Sequence, residues 1–431
     1  RAQSNLANEP RTAESERFIA SSVESSSAAN CLVCPPGQDF NFSNCQAHYN
    51  NCVPCVERAP AGSASADLSD GARRFLAKLK REPELVDLAL ECPPLQSAAD
   101  VRAIISAVAG VEQAALRTFR VGPWGSGSAG EACPCEAAAE HVARGDEVLA
   151  AIAAMTRTWS QWSLRSFSLC DIQLERGAPL LPILSALPSS IETVRLTGLG
   201  LGPKGGLGEC LRALGSGQAL HLDLSGNGFT DADVEILLTM VGGLAVDSMV
   251  QDVGPPSRAV LGLNLSGNPG ITSSGLRRLL DAARQAPGCL RRFDLSECAL
   301  GPEGARLLAE HISEKCGLAA LEELNLYRTG IGTDGIHILL QAAASAPALR
   351  SLNVMANSQH IGNWVTKVGQ GIVAALQKTL ALRVLTISCP EAELEAAKKL
   401  MSEVECRVIL VPNEQSNYNR TLFLGHVHVK G

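Results

Sequence analysis

A strand signature, apolar-x-x-apolar-x-apolar, returns at nearly fixed spacing along most of this 431-residue chain, and few folds can accept it. It reads LVDLAL from Leu85, LRTFRV from Leu116, LRSFSL from Leu164, IETVRL from Ile191 and ALHLDL from Ala219. It continues as VLGLNL from Val260, LRRFDL from Leu290, LEELNL from Leu321, LRSLNV from Leu349 and LRVLTI from Leu382. A usual period of about 27 to 33 residues over roughly ten copies belongs to stacked supersecondary units, each too small to bury its own apolar face. The composition, 46% apolar but only 4% aromatic, suits regular layers of small and branched side chains.

Each unit reads as a short strand, a turn with Asn or Cys three residues past it (Asn227, Asn268, Cys298), and a helix. The segments TDADVEILLTMV, TSSGLRRLLDAARQA, GPEGARLLAEHI and GTDGIHILLQAAASA open on turn or capping residues and continue with apolar spacings of three and four. Over roughly residues 80 to 412 these units resemble leucine-rich repeats of the ribonuclease-inhibitor type. The resemblance implies an α/β solenoid of about ten repeats, with a curved parallel sheet on the concave side and helices on the convex side. Activators of the Ran GTPase share such repeats, but the acidic tail of that family is absent here.

Two steps break the period. The 48 residues from Leu116 to Leu164 include GPWGSGSAGEACPCEAAAEHVARGDE, and the 41 from Ala219 to Val260 include GGLAVDSMVQDVGPPSR. The sequence therefore divides into an extended or disordered arm (1–30), a Cys-rich stapled segment (31–55), a linker with a leading helix (56–79), repeats (80–412) and a tail (413–431). The insertions fall near 122–160 and 241–258. A loop that escapes the packing period is free to serve binding, so the first insertion is expected at or beside a contact. The polar, Ser/Ala-rich arm is expected to order on contact with something else. The chain starts at Arg1 rather than Met, which suggests that a targeting segment or disordered start has been removed.

The single x before the last apolar residue of each strand should line the concave face. In order these are Ala89, Arg120, Ser168, Arg195, Asp223, Asn264, Asp294, Asn325, Asn353 and Thr386, with Arg291, Arg292, Glu322, Glu323, Arg350 and Arg383 on flanking positions. Arginines lie toward the start of the row and Asp/Asn toward its centre and end. One reading is a solvated surface whose charges pair one strand away. The other is a partner-binding groove, with Arg120, Arg195, Asp223, Asn264, Asp294, Asn325 and Asn353 as contact candidates.

Catalytic motifs are absent. GLGPKG at Gly200–Gly205 satisfies G-x-G-x-x-G with Asp223 downstream, but the same turn recurs as SGNGFTDAD and CALGPEGAR, so these glycines serve a strand-to-helix turn. The eight histidines form no H-E-x-x-H, and His426 and His428 merely alternate in the tail. A net charge of -7 without a basic run argues against nucleic acid, and no stretch of eighteen apolar residues offers a transmembrane helix.

Five cysteines crowd residues 31 to 55. Cys31, Cys34, Cys52 and Cys55 have the C-x2-C…C-x2-C spacing of a zinc site. A fifth, Cys45, together with the Pro/Gly turns and the sequon at Asn41, instead resembles small disulfide-bonded extracellular modules, with Cys133 and Cys135 as further disulfide candidates. Disulfides are the first reading, zinc the second and free thiols the third. Cys210, Cys289, Cys298, Cys316 and Cys406, at or near apolar repeat positions, should be reduced. Extracellular space or an organelle lumen is the expected setting, with an intracellular alternative. A non-enzymatic interaction or scaffold subunit bound to protein partners is the expected function, with no cofactor and no small-molecule substrate. A ligand-sensing receptor module is the alternative.

Overall fold

The computed structural model describes most of residues 68–412; residues 1–67, 123–147, 242–259 and 413–431, with shorter connecting stretches, lie outside the described residues. The chain divides into two units, Arg1–Asp67 and Leu68–Gly431, and every described residue belongs to the second. The arm, the Cys-rich segment, Cys133, Cys135 and the tail therefore fall outside the description.

Eleven strands form one sheet in strict sequence order: β1 Asp87–Leu90, β2 Thr118–Val121, β3 Ser166–Cys170, β4 Thr193–Thr197, β5 Leu220–Asp223, β6 Val260–Asn264, β7 Arg292–Asp294, β8 Glu323–Asn325, β9 Ser351–Asn353, β10 Val384–Cys389 and β11 Arg407–Pro412. Every neighbouring pair is parallel. Parallel neighbours need a crossover, and helices supply it. They are α2 Ala98–Ala109, α3 Leu180–Ser185, α4 Leu207–Ala213, α5 Asp231–Val241, α6 Ser273–Gln285, α7 Gly301–Ser313, α8 Gly332–Ala343, α9 Gln370–Leu376 and α10 Leu394–Met401, with α1 Asp70–Arg81 preceding β1. This is a leucine-rich-repeat α/β solenoid. Ten strands fall on the ten signatures. The eleventh, CRVILVP, lacks the full signature yet pairs along all six residues with β10.

One core runs through the repeats. Strand residues such as Leu222, Leu263, Phe293, Leu324 and Leu352 are buried in it, together with Leu276, Leu279, Leu280 and Ala283 of α6 and Ile336, Leu339, Leu340 and Ala343 of α8. The helical set recurs at i, i+3, i+4 and i+7, so each helix lays one stripe on the sheet. Neighbouring units also cap one another. Asp231, the first residue of α5, accepts the N–H groups of Thr272 (2.8 Å) and Gly275 (3.0 Å), satisfying donors at the start of the next repeat's helix. At the far end Glu393 does the same for Trp364 and Val365 (2.9 Å each), and those N–H groups hold its carboxyl below the usual range.

The turn residue three past the strand is the polar spine of the repeats. Asn227 and Asn268 are buried, and each holds the loops of two units together. Asn268 Oδ1 accepts the N–H groups of Asn227 and Phe229 (3.0 Å each), while its Nδ2 donates to the carbonyls of Leu265 (2.7 Å) and Leu224 (3.3 Å). Asn357 occupies the same place three units after Asn268, donating to Leu326 O (2.6 Å) and accepting from Thr329 N–H (3.1 Å). Between them Cys298 donates its thiol to Leu265 O (3.3 Å); burial pushes that thiol up to about 12, so it stays protonated and able to donate.

The two interruptions leave local marks. After residues 242–259 the chain re-enters the sheet one residue out of step, and a register shift at Leu220/His221 restores the pairing of Leu222 with Leu263. At the first interruption, Phe119, Trp159 and Phe167 pack together with centroids 5.5 to 6.1 Å apart. Three bulky rings here fill core space beside β2 and β3, in a chain with only four Trp and nine Phe.

Candidate interaction face

Strand residues alternate between the two faces of the sheet. The pairing register aligns Ala89, Arg120, Ser168, Arg195, Asp223, Asn264, Asp294, Asn325, Asn353, Thr386 and Ile409 into a single row. All seven contact candidates from the sequence are therefore brought together, each one strand from the next or two. A second row beside it runs Thr193, His221, Gly262, Arg292, Glu323, Ser351, Val384, Arg407.

The candidates are not equally available. Arg120 and Arg195 are exposed and Asn264 is half-buried, whereas Asp223, Asn325 and Asn353 are buried. Asp223, Asn264, Asp294, Asn325 and Asn353 each accept the backbone N–H two residues on, at 2.9 to 3.2 Å, a side-chain turn that fixes the exit from each strand. In the second half of the row the side chains also bond to one another. Asn353 Nδ2 donates to Asn325 Oδ1 (2.9 Å), and Asn325 Nδ2 donates to Asp294 Oδ2 (2.8 Å). Asp294 closes this chain of amide donors because a carboxylate only accepts.

Closing the chain leaves a carboxylate short of water. Burial pushes the Asp294 carboxyl above its ordinary range, against the lowering effect of its bonds from Ser296 and Asn325. A carboxyl raised in the folded state binds its proton more tightly there than in the unfolded chain. Its ionisation therefore opposes folding at neutral pH, and the penalty fades as pH falls through the folded value. Asp294→Asn removes that penalty but sets two amide donors against each other. The variant should gain stability relative to the parent as pH rises from 4 to 7, read from urea midpoints across that range. A constant difference would contradict an ionising Asp294 whose carboxyl is raised by desolvation.

The charges flanking the row pair one strand away, as one of the two readings expected: Arg165 with Glu192 (2.9 Å), Arg291 with Glu322 (3.0 Å) and Arg292 with Glu323 (3.3 Å). Being exposed, each contributes about 0 to 1 kcal/mol. Arg195 enters no ion pair among the described residues, although Asp223 is its register neighbour. His221, which no motif singled out, lies over Gly262, where an added Cβ would fall 2.3 Å from its Nδ1. Burial first, then Arg292, holds the imidazole below its ordinary pKa.

The turn after each strand adds a feature that the sequence does not announce. The left-handed position held by Gly226 (φ 66°) and Gly267 (φ 67°) is held by Glu297 (φ 60°) and Arg328 (φ 54°) in the next two units. A non-glycine side chain costs roughly 1 kcal/mol there. Glu297 and Arg328 form an ion pair at 3.7 Å, and the Arg328 guanidinium lies 6.0 Å from the Tyr327 ring centre.

Among the described residues no group of three or more His, Cys, Asp or Glu could hold a metal ion, and no helix is long and apolar enough to cross a membrane. The described cysteines Cys170, Cys210, Cys298, Cys389 and Cys406 are free thiols. The zinc and disulfide candidates Cys31, Cys34, Cys45, Cys52, Cys55, Cys133 and Cys135 lie outside the described residues. Of the G-x-G-x-x-G stretch, Gly200 occupies a left-handed turn at φ 69°, and Asp223 lies on the sheet row.

A leucine-rich-repeat family model matches residues 220–237 and 289–309. No curated protein matches the chain. Among solved structures it is similar to actin-binding site 2 of leiomodin-1, at 21% identity over 33% of this chain and 76% of that one, with a TM-score of 0.29. It is also similar to the tropomodulin C-terminal domain of Caenorhabditis elegans, at 22% identity over 31% of this chain and 74% of that one, with a TM-score of 0.26. The extracellular or organelle-lumen setting expected from the cysteine cluster is contradicted and withdrawn, and every described cysteine is a free thiol. Cysteine spacing alone does not fix oxidation state, and the described thiols at Cys210, Cys298 and Cys389 are packed as small apolar groups.

Proposed function

We propose that this chain, a leucine-rich-repeat protein, is a non-catalytic interaction module, a scaffold subunit that holds a protein partner against the polar face of its sheet. The observation that carries this reading is the register-aligned row. Eleven parallel strands hold one side chain each at a fixed spacing of about 4.8 Å, with exposed Arg120 and Arg195 at one end and Asx side chains locked in one orientation at the other. Side chains already immobilised by their own turns lose little freedom when a partner arrives. The mixed charge pattern supports selectivity more than affinity, since a mispaired charge penalises a wrong partner more than a surface pair rewards the right one.

The test uses the native complex. Changing Arg120 and Arg195 together to Glu should weaken it roughly tenfold or more, read by size-exclusion and cross-linking of complexes from the native source. The melting temperature should hardly move, because both side chains are exposed. A complex that survives this double reversal intact would refute a contact centred on the row.

A further inference from the structure

The charge alternation along the strand starts stops at β8. Arg291 is neutralised by Glu322 and Arg292 by Glu323, but the next three strands carry Arg350, Arg383 and Arg407 at the same end of the sheet. Their backbones are directly bonded, Arg383 N–H to Arg350 O (2.8 Å) and Arg407 N–H to Arg383 O (2.9 Å), so the three sit at the starts of consecutive strands, Arg350 and Arg383 just before β9 and β10 and Arg407 one step on, in register with Val384 and Ser351. All three are exposed, and none enters an ion pair among the described residues. Like charges side by side on adjacent strands destabilise a sheet, and this protein is acidic overall, at -7. The local basic strip runs against both tendencies.

Beside the strip the same strands present apolar surface. Ile409 of β11 is 37% exposed, one of two exposed large apolar side chains among the described residues, and it stands in register with Thr386 and Asn353. Thr386, only 4% exposed, has a hydroxyl with no hydrogen-bond partner among the described residues. Farther along, the buried side chains of Tyr327, Met355 and Val411 form a small apolar cluster separate from the main core, with Arg328 at its margin. An exposed Ile409 bordered by guanidinium groups that enter no ion pair among the described residues is complementary to a segment that is both acidic and apolar. Arginine binds carboxylates in a fixed, bidentate geometry.

We infer that the β9–β11 end of the polar face is the anchoring point for an acidic segment of a protein partner, whose carboxylates engage Arg350, Arg383 and Arg407 and whose large apolar side chain covers Ile409. This deepens the proposed function and rests on it. The strip accounts for a basic cluster in an acidic protein, and Ile409 selects a peptide over a purely polar polyanion. The chain's own residues 413–431 carry Glu414 as their only acidic side chain, so charge disfavours them as the occupant.

The experiment titrates full-length protein with a labelled twelve-residue peptide of Glu and Asp around a central Leu, following fluorescence anisotropy at low and high salt. Binding should weaken steeply with salt, fall at least tenfold in Arg383→Glu/Arg407→Glu and in Ile409→Asp, and be absent for the Lys counterpart. Equal binding when Ser replaces the central Leu, or no effect of the reversals, overturns the proposal. At least tenfold tighter binding by a full-length variant with Leu422, Phe423 and Leu424 changed to Ser would identify the tail as the occupant and overturn it too. Melting temperatures of the variants should match the parent, which keeps the readout separate from folding. In the native complex, loss with Arg120→Glu/Arg195→Glu but not with Arg383→Glu/Arg407→Glu would sink this inference while leaving the proposed function standing; survival of both would sink both.

Discussion

Replacing Asn268 by alanine is expected to cost about 4 kcal/mol, whereas Asn264→Ala, four residues earlier, should cost about 1 kcal/mol or less. Both are asparagines of the same unit, and only their partners differ. Asn268 is fully buried and serves two backbone N–H groups of the preceding unit and two carbonyls of two units. Without it these groups are stranded in the core, and each unsatisfied buried group costs about 1 to 3 kcal/mol. Asn264 is half-buried and accepts a single N–H, that of Ser266 at 2.9 Å, which water can replace. Stability of a repeat array is a sum of unit and neighbour terms, so the damage should be local first. Hydrogen exchange should accelerate across residues 220–300 before the end strands respond, and the urea midpoint should fall accordingly. Similar costs at the two positions would mean that the buried spine does not couple the repeats.

Phe167→Ala should be comparably severe, at about 3 to 5 kcal/mol, the usual cost of deleting a buried aromatic ring. The ring is fully buried between Phe119 (5.9 Å) and Trp159 (5.5 Å), and these aromatics fill the core beside strands β2 and β3. A cavity here has two rigid rings as walls, so it relaxes poorly. Trp159→Phe is the informative companion. It also loses volume, but it removes an indole N–H that is buried without a partner among the described residues, and deleting that donor offsets part of the loss. The expected order in denaturant midpoints is parent, Trp159→Phe, then Phe167→Ala well below. If the two variants are equally damaging, the orphan donor is not a cost and the cluster is held by shape alone.

The sequence exposed the strand register because apolar-x-x-apolar-x-apolar marks both the core face and the residue opposite it, so Arg120 through Thr386 could be placed in one row without coordinates. It could not separate Asn264 from Asn268 in function, since residue type is identical and only the three-dimensional register decides which is buried between loops. Nor could it distinguish Arg195, which enters no ion pair among the described residues, from Asn325 and Asn353, which are bonded to each other 28 residues apart. Arg407 and Ile409 were overlooked because β11 lacks the signature's leading apolar residues and is recruited by pairing with β10 alone. The left-handed Glu297 and Arg328 leave no sequence mark, because glycine at that turn is common but not obligatory. The compartment was misjudged because the cysteine cluster dominated a composition argument that the repeats do not share.

The central claim, that partners meet the polar face of the sheet, is tested most directly by side-chain footprinting with hydroxyl radicals on the native complex before and after its dissociation in high salt. Two exposed large apolar residues report on opposite sides of the repeats: Ile409 at 37% on the sheet and Leu181 at 40% on helix α3. Protection of Ile409 in the complex, lost on dissociation and with Leu181 unchanged, is the predicted result. Protection of Leu181 with Ile409 fully reactive in both states would put the partner on the helical side and contradict the account.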